Sequence, residues 1–165
     1  MKNELPDPES APELFENILT RRVLAYFVDL IIVSIISGAV IVVALLVGLV
    51  TLGLGWLTIP VALPFSVLIY YVATLGSHNR ATVGMQLFDI VLTPTRGVPL
   101  DGWKVLLHPF VFWVTIWVFW PLLFIGLFSQ RRQLLHDMIT NTMMVRRAPM
   151  ERHWARHNGF ADRTV

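Results

Sequence analysis

Residues 21–50 read RRVLAYFVDLIIVSIISGAVIVVALLVGLV. Two arginines open the stretch, Asp29 sits alone inside it, and everything after Asp29 is apolar or small. In water such density of Val, Ile and Leu suggests strands. In lipid, an isolated apolar run of this length is helical, because its backbone groups have no other partners. A span takes about 20 apolar residues, so 23–50 reads as a first membrane helix. Outward from it, residues 30–77 hold no Asp, Glu, Lys or Arg, a gap of 48, and residues 105–130 form a second gap of 26. Only 15% of the 165 residues are charged, against about 25% in a soluble domain, and the mean hydropathy is +0.64. These figures exclude a soluble enzyme domain and predict an integral, multi-pass membrane protein.

The rest of the chain divides around these gaps. Residues 51–56 contain Gly53, Gly55 and Trp56 and read as a turn at an interface. Residues 57–76 read as a second span, with Pro60 near its start and Pro64 bending it. In the linker 77–104, residues 87–92 read as a strand. Pro94-Thr95-Arg96-Gly97 reads as a turn and 98–100 as a return strand, which together predict a small cytoplasmic β-hairpin. Residues 141–145 read as a further short strand. The segment 105–128 carries Trp113, Trp117 and Trp120 near its middle and a break at Trp120-Pro121. It is expected to be bent or re-entrant, with a straight third span as the alternative. The fold class is thus membrane all-α with a small β element. The organisation is a disordered acidic head over 1–14, a membrane domain over 15–146 and a basic tail over 147–165. Leu14, Phe15, Ile18 and Leu19 share a helical face, so 13–21 is expected along the membrane surface.

Charge sets the orientation. Basic residues number three before the first span, none in the 51–56 turn, three in 77–104 and seven after 129. Positively charged loops stay inside, so the N-terminus and the middle linker are cytoplasmic, and a returning third segment keeps the tail inside as well. The net charge of +2 gives no reason to expect nucleic acid as a partner; the lipid bilayer is the expected one. The chain has no cysteine, so disulfides and thiol chemistry are excluded. His153 and His157 have helical spacing but no supporting ligands, and neither a metal nor a cofactor is expected. No nucleophile–base pair or phosphate-binding motif is visible, and no enzymatic activity is expected.

Asp29 is the ionisable acid of the apolar spans, and such groups mark functional sites by default. It follows Arg22 by two helical turns, about 10 Å along the axis, too far for a direct bond. A partner from elsewhere is expected, with Arg131, Arg132 and His136 as candidates. Asp137 is expected to pair with Arg22. Two readings stand: an ion path through Asp29 for a monovalent cation or proton, or a structural lock of helix ends. A stripe of small residues, Ser34, Gly38, Ala44 and Gly48, permits close helix packing, either within the chain or in a homo-oligomer. His108, before Pro109, opens the last apolar segment.

Three segments together resemble the RDD family of small bacterial membrane proteins, named for an arginine and two aspartates. Arg22, Ala25 and Asp29 resemble its opening signature. Thr82-Val83-Gly84 and the apolar run to Leu92 resemble its central segment. His136-Asp137 with Thr142 and Val145 resembles its closing element. The resemblance places the family's arginine on Arg22 and its aspartates on Asp29 and Asp137. It departs at Met85 and Gln86, where basic residues are frequent, at Asp89, where glycine is usual, and at His108, where arginine is common. The resemblance implies a bacterial inner-membrane protein, with sodium–proton exchange among the activities of the family. The readings from the sequence are therefore a cation/proton transporter using Asp29, or a non-catalytic scaffold or assembly factor.

Overall fold

The structure, a computed structural model, describes residues 8–94, 102–119, 133–152 and 155. The opening stretch forms α1 (Ile18–Val50), 33 residues of unbroken helix. At 1.5 Å per residue it is about 50 Å long, well over the roughly 30 Å of a hydrocarbon core. The helix is therefore longer than a perpendicular crossing needs. A short 3-10 turn (Leu54–Thr58) reverses the chain into α2 (Ile59–Leu75). Pro60 lies in the first turn of α2, where its missing N–H is no loss, and Pro64 is accommodated inside the helix.

The helical stretches Pro12–Val50 and Leu54–Leu75 have the length and hydropathy to cross a bilayer, and only 11% and 6% of their most apolar windows are buried. The core helix of a soluble protein would be mostly buried. Val23, Phe27, Ile31, Ile35, Leu46 and Leu49 on α1 and Val61 and Phe65 on α2 are all exposed. These exposed apolar faces have the composition of membrane-spanning helices.

After α2 the chain makes a helical turn, α3 (Val83–Leu87), then β1 (Ile90–Pro94). The third apolar segment begins with α4 (Gly102–Phe119), and α5 (Leu135–Thr140) leads into β2 (Thr142–Arg146). The strands are antiparallel, with Ile90 opposite Arg146 and Leu92 opposite Met144. Ile90, Leu92, Thr93, Met143 and Val145 are buried. The small β element is therefore a pairing of segments some fifty residues apart, and the predicted hairpin is corrected: the partner of β1 is β2. The proposed return strand 98–100 lies outside the described residues. The strand also begins later than 87–92. Thr82 caps a helical turn through Leu87, and Asp89 at φ 59° turns the chain before Ile90.

Of the head, residues 1–7 lie outside the described residues; Pro12–Leu14 is a 3-10 turn, and Ala11, Leu14 and Phe15 pack with Met143, Val145 and Met150 under the sheet. The apolar face read as membrane-surface contact is thus spent on protein. Ile18 joins Ala25, Leu75, Met85, Ile90 and Leu92 in a second buried cluster between α1, α2, α3 and β1. Residues 120–132, on which the choice between a bent and a straight third segment turns, lie outside the described residues.

Candidate functional site

The buried residues at the start of α1 are Ile18, Arg22, Ala25, Asp29 and Val33. Their three- and four-residue spacing draws one stripe down the helix. Two ionic side chains therefore sit on the packed face, and α2, α3 and α5 supply what meets them.

Asp29 is 4% exposed. Its Oδ1 accepts the Tyr70 hydroxyl at 2.7 Å and the Gly84 N–H at 2.9 Å, and its Oδ2 accepts the Thr82 hydroxyl at 2.5 Å. Thr82 is the N-cap of α3, in extended backbone, and its oxygen also accepts the Met85 N–H at 3.2 Å. One hydroxyl thus begins the helical turn and binds the carboxylate. Gly84 is fixed by space. A Cβ there would lie 2.2 Å from the Ala25 carbonyl oxygen and 2.9 Å from Asp29 Cγ. Its lack of a side chain lets α3 lie against α1 and brings its N–H to Asp29. The Thr-x-Gly pattern is therefore the receptor for the aspartate of the first span.

The second ionic centre joins the beginning of the chain to its end. Arg22 Nη1 donates to Asp137 Oδ2 at 2.6 Å, with the two side chains 7% and 0% exposed. Asp137 sits in the first turn of α5, where a carboxylate is favoured by the free N–H groups, and the same Oδ2 accepts the Leu134 N–H at 3.1 Å. Asn141, at φ 51°, ends α5 in a left-handed conformation that asparagine tolerates. Breaking such a buried pair is costly because the remaining charge has no solvent. Arg22 Nε and Nη2 are buried and have no hydrogen-bond partner among the described residues. Unmet buried donors cost roughly 1–3 kcal/mol each.

Arg22 and Asp29 are not bonded to each other, but both line one cavity of about 80 Å³. Ala25, Tyr71, Leu75, Met85, Phe112 and Leu134 are among its walls, which are mostly apolar. Tyr26 also lines it and meets Phe112 of α4 edge to face, ring centres 5.8 Å apart.

A separate clasp fastens the sheet to the helix ends. Asp89 Oδ1 accepts the Ala148 N–H at 3.0 Å, and the Asp89 carbonyl accepts the Arg147 N–H at 2.9 Å. Arg146 pairs with Glu16 at 2.5 Å and reaches Asp89 at 3.4 Å. Arg147 Nη2 donates to the Asn79 carbonyl at 2.6 Å. The departure from glycine at position 89 has a physical account. The backbone is left-handed there, which aspartate tolerates better than most residues, and its carboxylate caps the segment after β2.

Arg22 and Asp137 are in contact. The partners that the described residues give Asp29 are the neutral donors of Tyr70, Thr82 and Gly84. Arg131 and Arg132 lie outside the described residues, as does the His136 side chain. Of the small residues, Gly48 and Ala44 are buried. A Cβ on Gly48 would meet Trp56 Nε1 at 1.9 Å, and one on Gly55 would meet Gly48 N at 2.5 Å. This half of the stripe is used within the chain. Ser34 bonds its own Leu30 carbonyl, and a Cβ on Gly38 would have nothing within 4 Å. Among the described residues no cluster of three or more metal-ligating side chains occurs; His153 and His157 lie outside them.

Tyr70 was not legible as a site residue. The available signal was a hydroxyl inside an apolar span, which needs a partner as much as Asp29 does. Thr82 and Gly84 were visible as a motif but not as ligands of Asp29.

Among known proteins, the family model described as RDD family matches residues 18–141, most of the chain. No curated protein and no solved structure matches. The match spans α1 through Asn141 and so includes Arg22, Asp29, the Thr82–Gly84 turn and Asp137.

Proposed function

The chain belongs to the RDD family, and from that premise we propose that it is an integral inner-membrane protein that moves a monovalent cation or a proton, with Asp29 as the ion-binding carboxylate. The observation that carries this reading is the division of labour between the two acids. Arg22 is engaged by Asp137, whereas Asp29 meets only neutral donors among the described residues. Its charge is thus held in place by hydrogen bonds and left for a proton or cation to neutralise. Two spans are too few to enclose a path, so the working unit is a homo-oligomer. The reading assigns no enzymatic activity and no cofactor.

In this reading the N-terminus is cytoplasmic and the third apolar segment leaves and returns on one side. Support for the return comes from β1, which precedes α4, being paired with β2, which follows it. The Arg22–Asp137 bond ties the same late segment to the start of α1. A single straight crossing would put these partners on opposite faces. A periplasm-dependent reporter fused after Val165 is expected to stay silent; activity there would overturn the return.

The second reading is a scaffold or assembly factor in which these residues lock helix packing. It is favoured by the three donors that tie Asp29 to α2 and α3. Proteoliposome assays of cation-driven proton movement separate the two. Flux in the wild type that is lost in Asp29→Asn supports transport. No flux for any monovalent cation, from folded and oligomeric protein, overturns it in favour of the scaffold.

A further inference from the structure

Arg22 uses Nη1 for Asp137 and keeps Nε and Nη2 buried without a partner among the described residues. Those two nitrogens form one edge of the guanidinium, the edge that takes two acceptor atoms side by side. Asp29 has the complementary surplus. A carboxylate offers about four acceptor positions, and three are used, two on Oδ1 and one on Oδ2. Both residues line the same cavity of about 80 Å³.

Charge and size decide what fits between them. The charges of Arg22 and Asp137 cancel, and ionised Asp29 leaves the trio net negative. An anion on the guanidinium edge would add a second negative charge beside Asp29, in surroundings too apolar to screen it. A cation there would face the guanidinium. A small neutral molecule that both accepts and donates satisfies both ends. One water needs roughly 10–15 Å³ of open space together with two to four polar partners, so the cavity has room for several. A cavity lined by apolar groups alone stays dry; this one is polar at both ends.

We propose that this cavity is a hydration site, whose waters accept from Nε and Nη2 of Arg22 and donate to Oδ2 of Asp29. The waters join the two ionic centres into one network and make Arg22 a positioning residue for the charge on Asp29. Under the transport reading they are also the exchange partners for a proton on Asp29. The hydration itself does not rest on that reading.

The test is hydroxyl-radical footprinting by X-ray radiolysis on the full chain in lipid nanodiscs, read at single methionines. Met85 is 5% exposed and lines the cavity, whereas Met143 is 1% exposed and packs in the cluster under the sheet. Radicals formed from bound water attack adjacent sulfur, so Met85 is expected to oxidise several-fold faster than Met143. Leu75→Phe, which narrows the cavity from its wall, is expected to slow Met85 and leave Met143 unchanged. Equal protection of the two methionines in the wild type overturns the proposal. Fast oxidation of Met85 that is indifferent to Leu75→Phe also overturns it, because water then reaches Met85 by another route. Should Leu75→Phe not assemble, the wild-type comparison decides alone. No flux is measured, so a chain that moves no ion can still show hydration, and a transporter can lack it.

Discussion

The Arg22–Asp137 pair permits a double-mutant cycle with an outcome fixed by burial. Arg22→Met removes the cation bonded to the Asp137 carboxylate, which is 0% exposed. Asp137→Leu removes the anion and leaves a guanidinium that already has two nitrogens without a partner among the described residues. Removing one member of a buried pair costs about 3–5 kcal/mol, whereas replacing both by apolar residues is often neutral. Each single variant should therefore unfold well below the wild type. At about 2–4 °C per kcal/mol for a chain of this size, the expected fall in Tm is on the order of 10 °C. The double variant should recover most of it. The assay is thermal unfolding in one detergent, followed by exposure of a tail-fused reporter and by loss of tryptophan signal. If the double variant is no more stable than the worse single variant, the two charges are not coupled and the join between α1 and α5 rests on something else.

Three further outcomes follow from the packing. Gly84→Ala puts a methyl 2.2 Å from the Ala25 carbonyl, so overpacking of about 1–3 kcal/mol is expected, with weakened binding of the Gly84 N–H to Asp29; a Tm equal to wild type would refute the close approach. Tyr70→Phe deletes one donor to Asp29 and should cost about 1.5–3 kcal/mol if the carboxylate is ionised, but much less in an Asp29→Asn background, which a melting series reads directly. Gly38→Leu should leave the fold within about 0.5 kcal/mol, as for an unconstrained surface site, while Gly48→Leu, blocked by Trp56 and Gly55, should destabilise it; if crosslinking shows that Gly38→Leu alone breaks an oligomer, the open half of the stripe is an intermolecular contact.

Much of the architecture could be read from residue pattern because the bilayer restricts the choices. An uncharged run after Asp29 has only the helix available, and α1 and α2 lie close to where the runs of hydropathy put them. The β element resisted for the opposite reason. Residues 87–92 do look strand-like, but the helical turn through Leu87 is set by the Thr82 cap, and the partner of Ile90 is Arg146. Nothing local signals a partner so distant, whereas Pro94-Thr95-Arg96-Gly97 signals a turn strongly. The face of Leu14, Phe15 and Ile18 was visible as apolar, but its covering by Met143, Val145 and Met150 is again non-local. Arg22 with Asp137 was readable because opposite charges at helix ends limit the options. The ligands of Asp29 were harder. A search for countercharge misses Tyr70, Thr82 and a backbone N–H, although hydrogen bonds can hold a carboxylate ionised without any cation.

That last point bears on why position 29 is an acid. A lock built from Tyr70, Thr82 and Gly84 does not need a charge. In Asp29→Asn the amide oxygen can still accept from Tyr70 and Gly84, as Oδ1 does. The amide nitrogen can donate to Thr82 Oγ1, which keeps a second lone pair for the Met85 N–H. Only the Thr82 hydroxyl hydrogen loses its acceptor, a cost of about 0.5–1.5 kcal/mol for a neutral bond, and it is offset by no longer burying a charge. Asp29→Asn should therefore melt close to the wild type. With the fold retained, any activity lost in the same protein reports on the charge alone. A large fall in Tm would refute this reasoning, since it would mean that the ionised carboxylate is itself what holds α1 to α2 and α3.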